Sequence, residues 1–118
     1  MRALLVVGCI AALVLFGGVA GAHAFLDEAE PKVGSTVRAA PREVTLRFTQ
    51  DLEPAFSSIT ITDASGQRVD VSKPSFSGNV VRVPLREIGA GRYRVTWRVL
   101  SVDTHSTEGA FTFGVEAP

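Results

Sequence analysis

Residues 91–100, with the sequence GRYRVTWRVL, decide the fold class of this chain. Within this stretch an apolar or aromatic residue stands at every second position from Tyr93 to Val99, and arginine or threonine stands between them. Such strict alternation is typical of a β-strand with one buried face, because successive side chains point to opposite sides. The pattern therefore predicts a long strand whose inner row, which includes Trp97, packs in the core.

Shorter segments on either side repeat this alternation and are bounded by turn residues such as those at 63–66 and 89–91. No window shows the apolar period of a helix. We therefore predict an all-β fold, a Greek-key antiparallel β-sandwich of immunoglobulin-like type with about seven strands. A small closed barrel is the competing topology. The predicted strands are 43–49, 57–62, 68–71, 79–85, 92–99 and 109–115, with further strands near Phe25 and Val37.

The N-terminal segment differs in composition from the rest of the chain. Residues 3–20 are uncharged and almost entirely apolar, and they end in the small-x-small pattern of Ala20 and Ala22 that precedes a signal-peptidase cut. We predict a signal peptide at 1–22 and a single domain at 23–118, which would place the protein in the periplasm or outside the cell.

Two other outcomes remain open for this segment. Cleavage after Ala24 would satisfy the same small-x-small rule. An uncleaved membrane anchor is the second, since about 18 apolar residues approach the length that spans a bilayer.

Charge and cysteine content exclude some classes of function. The chain has 12 Lys and Arg against 12 Asp and Glu, and the arginines are spread along it, so we expect no nucleic-acid partner. Its single cysteine, Cys9, lies in the apolar segment. The predicted domain therefore has neither a disulfide nor a thiolate ligand, and its stability must come from packing.

Histidine is rare in this chain and stands at two informative places. Cleavage after Ala22 would give His23 a free α-amine beside its imidazole, and Asp103 stands two residues before His105. In an extended strand residues i and i+2 point to the same face, so Asp103 and His105 can converge on one ion. Two imidazoles, an amine and a carboxylate form the N/O ligand set that Cu(II) binds in tetragonal geometry. We predict one Cu(II) per chain at His23, Asp103 and His105.

Other interpretations of these residues stay open. Zinc also binds imidazole and carboxylate, although it favours a tetrahedron. Asp103 could instead cap a turn, or it could orient His105 without contacting the metal.

Residues 91–105, GRYRVTWRVLSVDTH, together with GAFTFGV at 109–115, closely resemble the C-terminal signature of CopC-type copper-resistance proteins. HAFL at 23–26 and EPKVGS at 30–35 are similar to the opening of that family. The resemblance implies a secreted or periplasmic β-barrel or sandwich that binds Cu(II). It also implies copper ligands at His23, Asp103 and His105, and a CopD-like membrane protein that works alongside such proteins or is fused to them. Because no further apolar segment follows in this sequence, we expect that partner to be a separate chain.

The chain departs from the family pattern in two places. Residues 63–78 contain no methionine or histidine, so they cannot form the Cu(I) site that a methionine-rich loop gives some members. Gln50 stands where the family often has glutamate, and Asp51 could compensate for the missing charge.

The leading functional hypothesis is a monomeric, non-enzymatic protein that captures, buffers or delivers Cu(II) outside the cytoplasm. An oxidative copper enzyme resembling a lytic polysaccharide monooxygenase is the main alternative. A metal-free immunoglobulin-like interaction module is the third hypothesis.

Overall fold

The computed structural model describes residues 25–118, which form eight β-strands and one 3₁₀ turn at Pro54–Phe56. The predicted signal peptide and His23 lie outside these residues. No helix in the described part of the chain is long and apolar enough to cross a membrane. The strands are β1 (Leu26–Glu30), β2 (Thr36–Val37), β3 (Glu43–Phe48), β4 (Ser58–Asp63), β5 (Ser75–Ser77), β6 (Val80–Pro84), β7 (Gly91–Leu100) and β8 (Ser106–Val115).

The strands form two four-stranded sheets, with the orders β1-β3-β6-β5 and β2-β8-β7-β4. The all-β sandwich predicted from the sequence is confirmed, and the two separate sheets exclude the closed barrel. All but one of the strand pairs in the described region are antiparallel; the short β2–β8 pair is parallel.

One local strand prediction was wrong, and one short strand was not predicted. Residues 68–71 form no strand; Arg68 and Asp70 instead make single bridges to Thr62 and Leu85, because this segment crosses from one sheet to the other. The segment 79–85 is preceded by an additional short strand, β5, which pairs with β6.

The core lies between the sheets, where the inner rows of both meet. Phe48 of β3 and Val95 and Phe113 of the β7–β8 pair are fully buried. Trp97 is partly buried and packs against this core, with its ring centroid 5.9 Å from that of Phe48 and 6.2 Å from that of Phe111. The prediction that Trp97 is a packing residue is confirmed.

Strands β7 and β8 form the longest hairpin of the described region. They pair without a register shift from Gly91 opposite Val115 to Leu100 opposite Ser106. The connection between them, residues 101–105, therefore lies at a fixed end of the sandwich. It carries both of the candidate metal ligands that fall within the described residues.

Candidate metal centre

Asp103 and His105 lie on the β7–β8 connection, in a tight turn rather than in an extended strand. The Thr104 N–H donates to the Ser101 carbonyl at 2.9 Å, and the Ser101 N–H donates to the His105 carbonyl at 3.0 Å. Thr104 has a φ of 70°, a left-handed conformation that is uncommon for a β-branched residue. The two side chains do converge as predicted, but the turn brings them together, and strand alternation does not.

The two candidate ligands face each other at close range. The Oδ1 atom of Asp103 lies 3.3 Å from Nδ1 of His105, and the side chains are 42% and 51% exposed. Metal–ligand bonds of about 2 Å at a right angle place two donor atoms roughly 3 Å apart, so the pair fits a shared ion. The same distance fits a carboxylate that orients the imidazole while Nε2 binds the metal. Either arrangement presents the pair to solvent.

Ser101 fixes the position of the Asp103 carboxylate from beneath. Its side chain is fully buried, and its hydroxyl donates to Asp103 Oδ1. This hydrogen bond, and then the contacts with His105, hold the pKa of Asp103 below its ordinary value. At neutral pH the Asp103 carboxylate is therefore ionised, as a metal ligand must be, and the hydrogen bond fixes its orientation.

Sequence reasoning assigned no role to Ser101, although a signal was present. Ser101 continues the inner row of β7 two positions after Val99, where alternation calls for another apolar residue. A polar residue at a core position has to find a hydrogen-bond partner. In the structure that partner is Asp103.

The start of the described chain is attached near this loop. The Phe25 N–H donates to Thr49 Oγ1 at 2.9 Å, and the Thr49 N–H donates to the Phe25 carbonyl at 2.9 Å. Two residues further along, the Asp51 carbonyl accepts a hydrogen bond from the Val102 N–H at 3.0 Å. The short segment 49–51 thus connects Phe25 to the loop that carries Asp103 and His105.

The described residues contain no group of three or more histidine, cysteine, aspartate or glutamate side chains placed to hold a metal ion. Asp103 and His105 are thus two candidate donors, and a complete site would need further donors from outside this pair. His23, the third predicted ligand, lies outside the described residues. Gln50 is partly buried on the connecting segment, and the Asp51 carboxylate lies beside Gly78.

The sequence and fold of this chain are similar to those of known copper proteins. The model of the CopC domain matches residues 26–116. The crystal structure of CopC from Methylosinus trichosporium OB3b superposes with a TM-score of 0.75 at 38% identity, over 80% of this chain and 95% of that one. PcoC, a methionine-rich copper resistance protein from Escherichia coli, superposes with a TM-score of 0.71 at 33% identity, over 80% of this chain and all of that one.

A longer protein also contains a similar region. The copper transport protein CutJ of Bacillus subtilis is 27% identical over 107 residues, which are 87% of this chain but 20% of CutJ. CopC-family proteins are copper-binding resistance proteins and not enzymes, so the oxidative-enzyme alternative has no support here. The family match and the two-sheet fold together show that this chain belongs to the CopC family of copper resistance proteins.

Proposed function

We propose that this protein binds one Cu(II) ion per chain outside the cytoplasm and serves in copper capture, buffering or delivery. The proposed site is mononuclear. Its donors are the α-amine and imidazole of His23, exposed by cleavage after Ala22, with His105 and Asp103. The observation that carries this proposal is the attachment of Phe25 to Thr49, beside the segment that hydrogen-bonds to the Asp103–His105 loop.

Chain length limits where the N-terminal donors can lie. Two residues of fully extended chain span at most about 7 Å. His23 precedes Phe25 by two residues, so the proposed amine donor would lie within that span of Phe25. This supports His23 as the source of the donors that the described residues lack.

The donor types favour Cu(II) over other ions. Amine, imidazole and carboxylate are ligands for which Cu(II) has the highest affinity among the divalent first-row metals. Cu(I) prefers sulfur, whereas residues 23–118 contain no cysteine or methionine. We therefore propose a single Cu(II) site and no second site for Cu(I).

A membrane copper transporter is the proposed partner, and the protein itself is proposed to be an exported monomer. The match to a fifth of the CutJ sequence supports a copper transporter as the partner, because there a similar region forms part of a longer copper transport protein. The proposed transporter is of CopD-like type.

Intact-mass measurement of the exported protein tests the processing step first. A chain that begins at His23 is expected, whereas one that begins at Phe25 would contradict the proposed site. Cu(II) affinity is then measured by competition with a chromophoric chelator for protein that starts at His23 and for the same protein with its α-amine selectively acetylated. Acetylation keeps the imidazole but removes the basic amine that would close the chelate ring.

We expect acetylation of the α-amine to weaken Cu(II) binding and to change the electron paramagnetic resonance spectrum. His105→Ala should also weaken binding, while Ser106→Ala, at an exposed neighbouring position, should not. A tight ligand at 100 times its dissociation constant stabilises a protein by about 2.7 kcal/mol, so Cu(II) should also raise the melting temperature. Equal affinity with a free and with an acetylated α-amine would refute the role of the amine.

A further inference from the structure

A row of exposed arginines runs along the middle of one face of the sandwich. Arg92, Arg94 and Arg98 alternate with the buried residues of β7 and therefore point away from the core. β7 is an interior strand of its sheet, between β8 and β4. Residues two apart on a strand are separated by about 6.6 Å, so this arginine row extends along most of β7. Its Arg98 end lies nearest the 101–105 loop.

The arginine row makes no close ion pair with its neighbours in the described region, although one carboxylate lies across the sheet from it. Arg94 lies between Thr62 on β4 and Thr112 on β8, and Arg98 lies opposite Glu108. Among residues 25–118 no ion pair within 4.0 Å includes an arginine of this row. The arginines on the outer face of the other sheet, in contrast, pair with nearby carboxylates.

One end of the row borders a shallow depression of about 300 Å³, lined by Arg92, Arg94 and Thr112 among others. Arg92 Nη2 donates to Thr112 Oγ1 at 3.0 Å, which holds one guanidinium at the edge of the depression. Asp63 also lines it, but its Oδ1 accepts hydrogen bonds from the Ser65 and Gln67 N–H groups of its own turn. The depression thus offers two guanidinium groups to an anionic group such as a phosphate.

The face lacks the anchors of an ordinary protein interface. Protein partners usually bind through aromatic or large apolar residues at the centre of the contact. The exposed large hydrophobic residues of the described region all lie off the strands of this sheet. An anionic bilayer, in contrast, attracts arginine by charge alone. We propose that the arginine row binds the headgroups of anionic phospholipids and holds the protein against a membrane surface.

Vesicle co-sedimentation of the metal-free protein tests this proposal without reference to copper. Vesicles of phosphatidylglycerol mixed with phosphatidylcholine are compared with vesicles of phosphatidylcholine alone. Measurement at low salt, about 0.01 M, exposes the effect, because the screening length is then about 30 Å. We expect binding to the anionic vesicles only, and a progressive weakening of that binding as salt is raised.

The matched variants carry equal charge changes on opposite faces. Arg94→Gln/Arg98→Gln should weaken binding roughly 25-fold, since each arginine near an anionic surface contributes about fivefold, equal to about 1 kcal/mol. Arg47→Gln/Arg82→Gln, on the outer face of the other sheet, should bind nearly as well as the parent. Equal losses in both variants, or equal binding to neutral vesicles, would overturn the proposal. So would binding to soluble poly-glutamate with no binding to anionic vesicles, which would indicate an acidic protein partner instead.

Discussion

Substitution of Ser101 by alanine tests whether the fold prearranges the proposed copper site. Ser101 is fully buried, and its hydroxyl is the group beneath Asp103. Alanine removes this donor but fills the same inner position of the β7 row. The Asp103 carboxylate would keep its contacts with His105, namely Nδ1 at 3.3 Å and the backbone N–H at 3.4 Å, but would lose the bond that fixes its rotation.

The magnitude follows from what Ser101 touches. The hydroxyl makes two polar contacts within the loop, to Asp103 Oδ1 and to the His105 carbonyl at 3.2 Å. Loss of a group that orients a metal ligand typically lowers metal affinity 10- to 100-fold. We expect Ser101→Ala to weaken Cu(II) binding by about that factor. The pKa of Asp103 should rise toward its ordinary value, because the hydrogen bond from Ser101 is the first cause of its depression.

The assay is chelator competition on protein that starts at His23, with electron paramagnetic resonance to report the ligand set. Ser106→Ala is the matched control, since it removes an exposed hydroxyl next to His105. Circular dichroism confirms that both variants are folded. Wild-type affinity in a folded Ser101→Ala variant would refute the reasoning, because it would mean that the carboxylate needs no support from the fold or does not bind the metal.

Three further predictions concern stability and pH. Gly109→Ala should destabilise the domain by about 1–3 kcal/mol and shift its tryptophan fluorescence. The reason is that a Cβ at this position would lie 2.5 Å from Cζ2 of Trp97. Gly89→Ala is the control and should be neutral, because a Cβ there meets no atom within 4 Å. Asp70→Asn should cost about 1–3 kcal/mol in chemical denaturation at neutral pH, since it breaks the ion pair with Arg68 at a carboxylate that is 5% exposed. Burial alone would raise the pKa of Asp70, but hydrogen bonds from Arg68 and the Ile61 N–H outweigh it and lower the pKa. The stabilisation is therefore present above the unfolded value of about 3.9 and is lost as pH falls through the folded one, so the stability gap between parent and variant should close in acid. Cu(II) affinity, measured by competition at several pH values, should fall as the pH is lowered, because protons compete with Cu(II) for the proposed nitrogen donors. A flat profile would contradict nitrogen ligands.

The elements that sequence predicted well are those whose pattern is local. β3, β4, β6, β7 and β8 all show apolar alternation, and the structure places each within a few residues of its prediction. Such a pattern reports directly which side chains face the core.

The elements that sequence analysis missed are defined by their pairing and not by a pattern of their own. The segment 68–71 has strand-like residues, yet it makes only single bridges, because its neighbours belong to different sheets. β5 contains only three residues, and its pairing with β6 defines it. The parallel β2–β8 pair joins residues that are far apart in sequence, so no local pattern could show its direction.

Part of the candidate site could be predicted from sequence, because two of its residues form a local pattern. Asp103 and His105 could be found because they are close in the chain and carry metal-ligating groups. The left-handed conformation of Thr104, which brings them together, has no signal in a β-branched residue. The reciprocal hydrogen bonds between Phe25 and Thr49 join residues 24 positions apart, and only the folded chain reveals them.

The contrast between ligands close together in the chain and contacts between distant residues suggests how the proposed site gains its affinity for Cu(II). The fold arranges one half, Asp103 and His105, through the turn and the buried Ser101. The other half, the proposed amine and imidazole of His23, would be linked to the sandwich through Phe25, two residues further along the chain. Phe25 is fixed to the sandwich by two hydrogen bonds. A short tether gives its end an effective concentration in the millimolar range or above near the point of attachment, so binding of the second half becomes intramolecular. Loosening the Phe25–Thr49 pair should therefore weaken Cu(II) binding even though neither residue is a proposed ligand, and Thr49→Val, which removes the side-chain acceptor and keeps the shape, separates tethering from ligation.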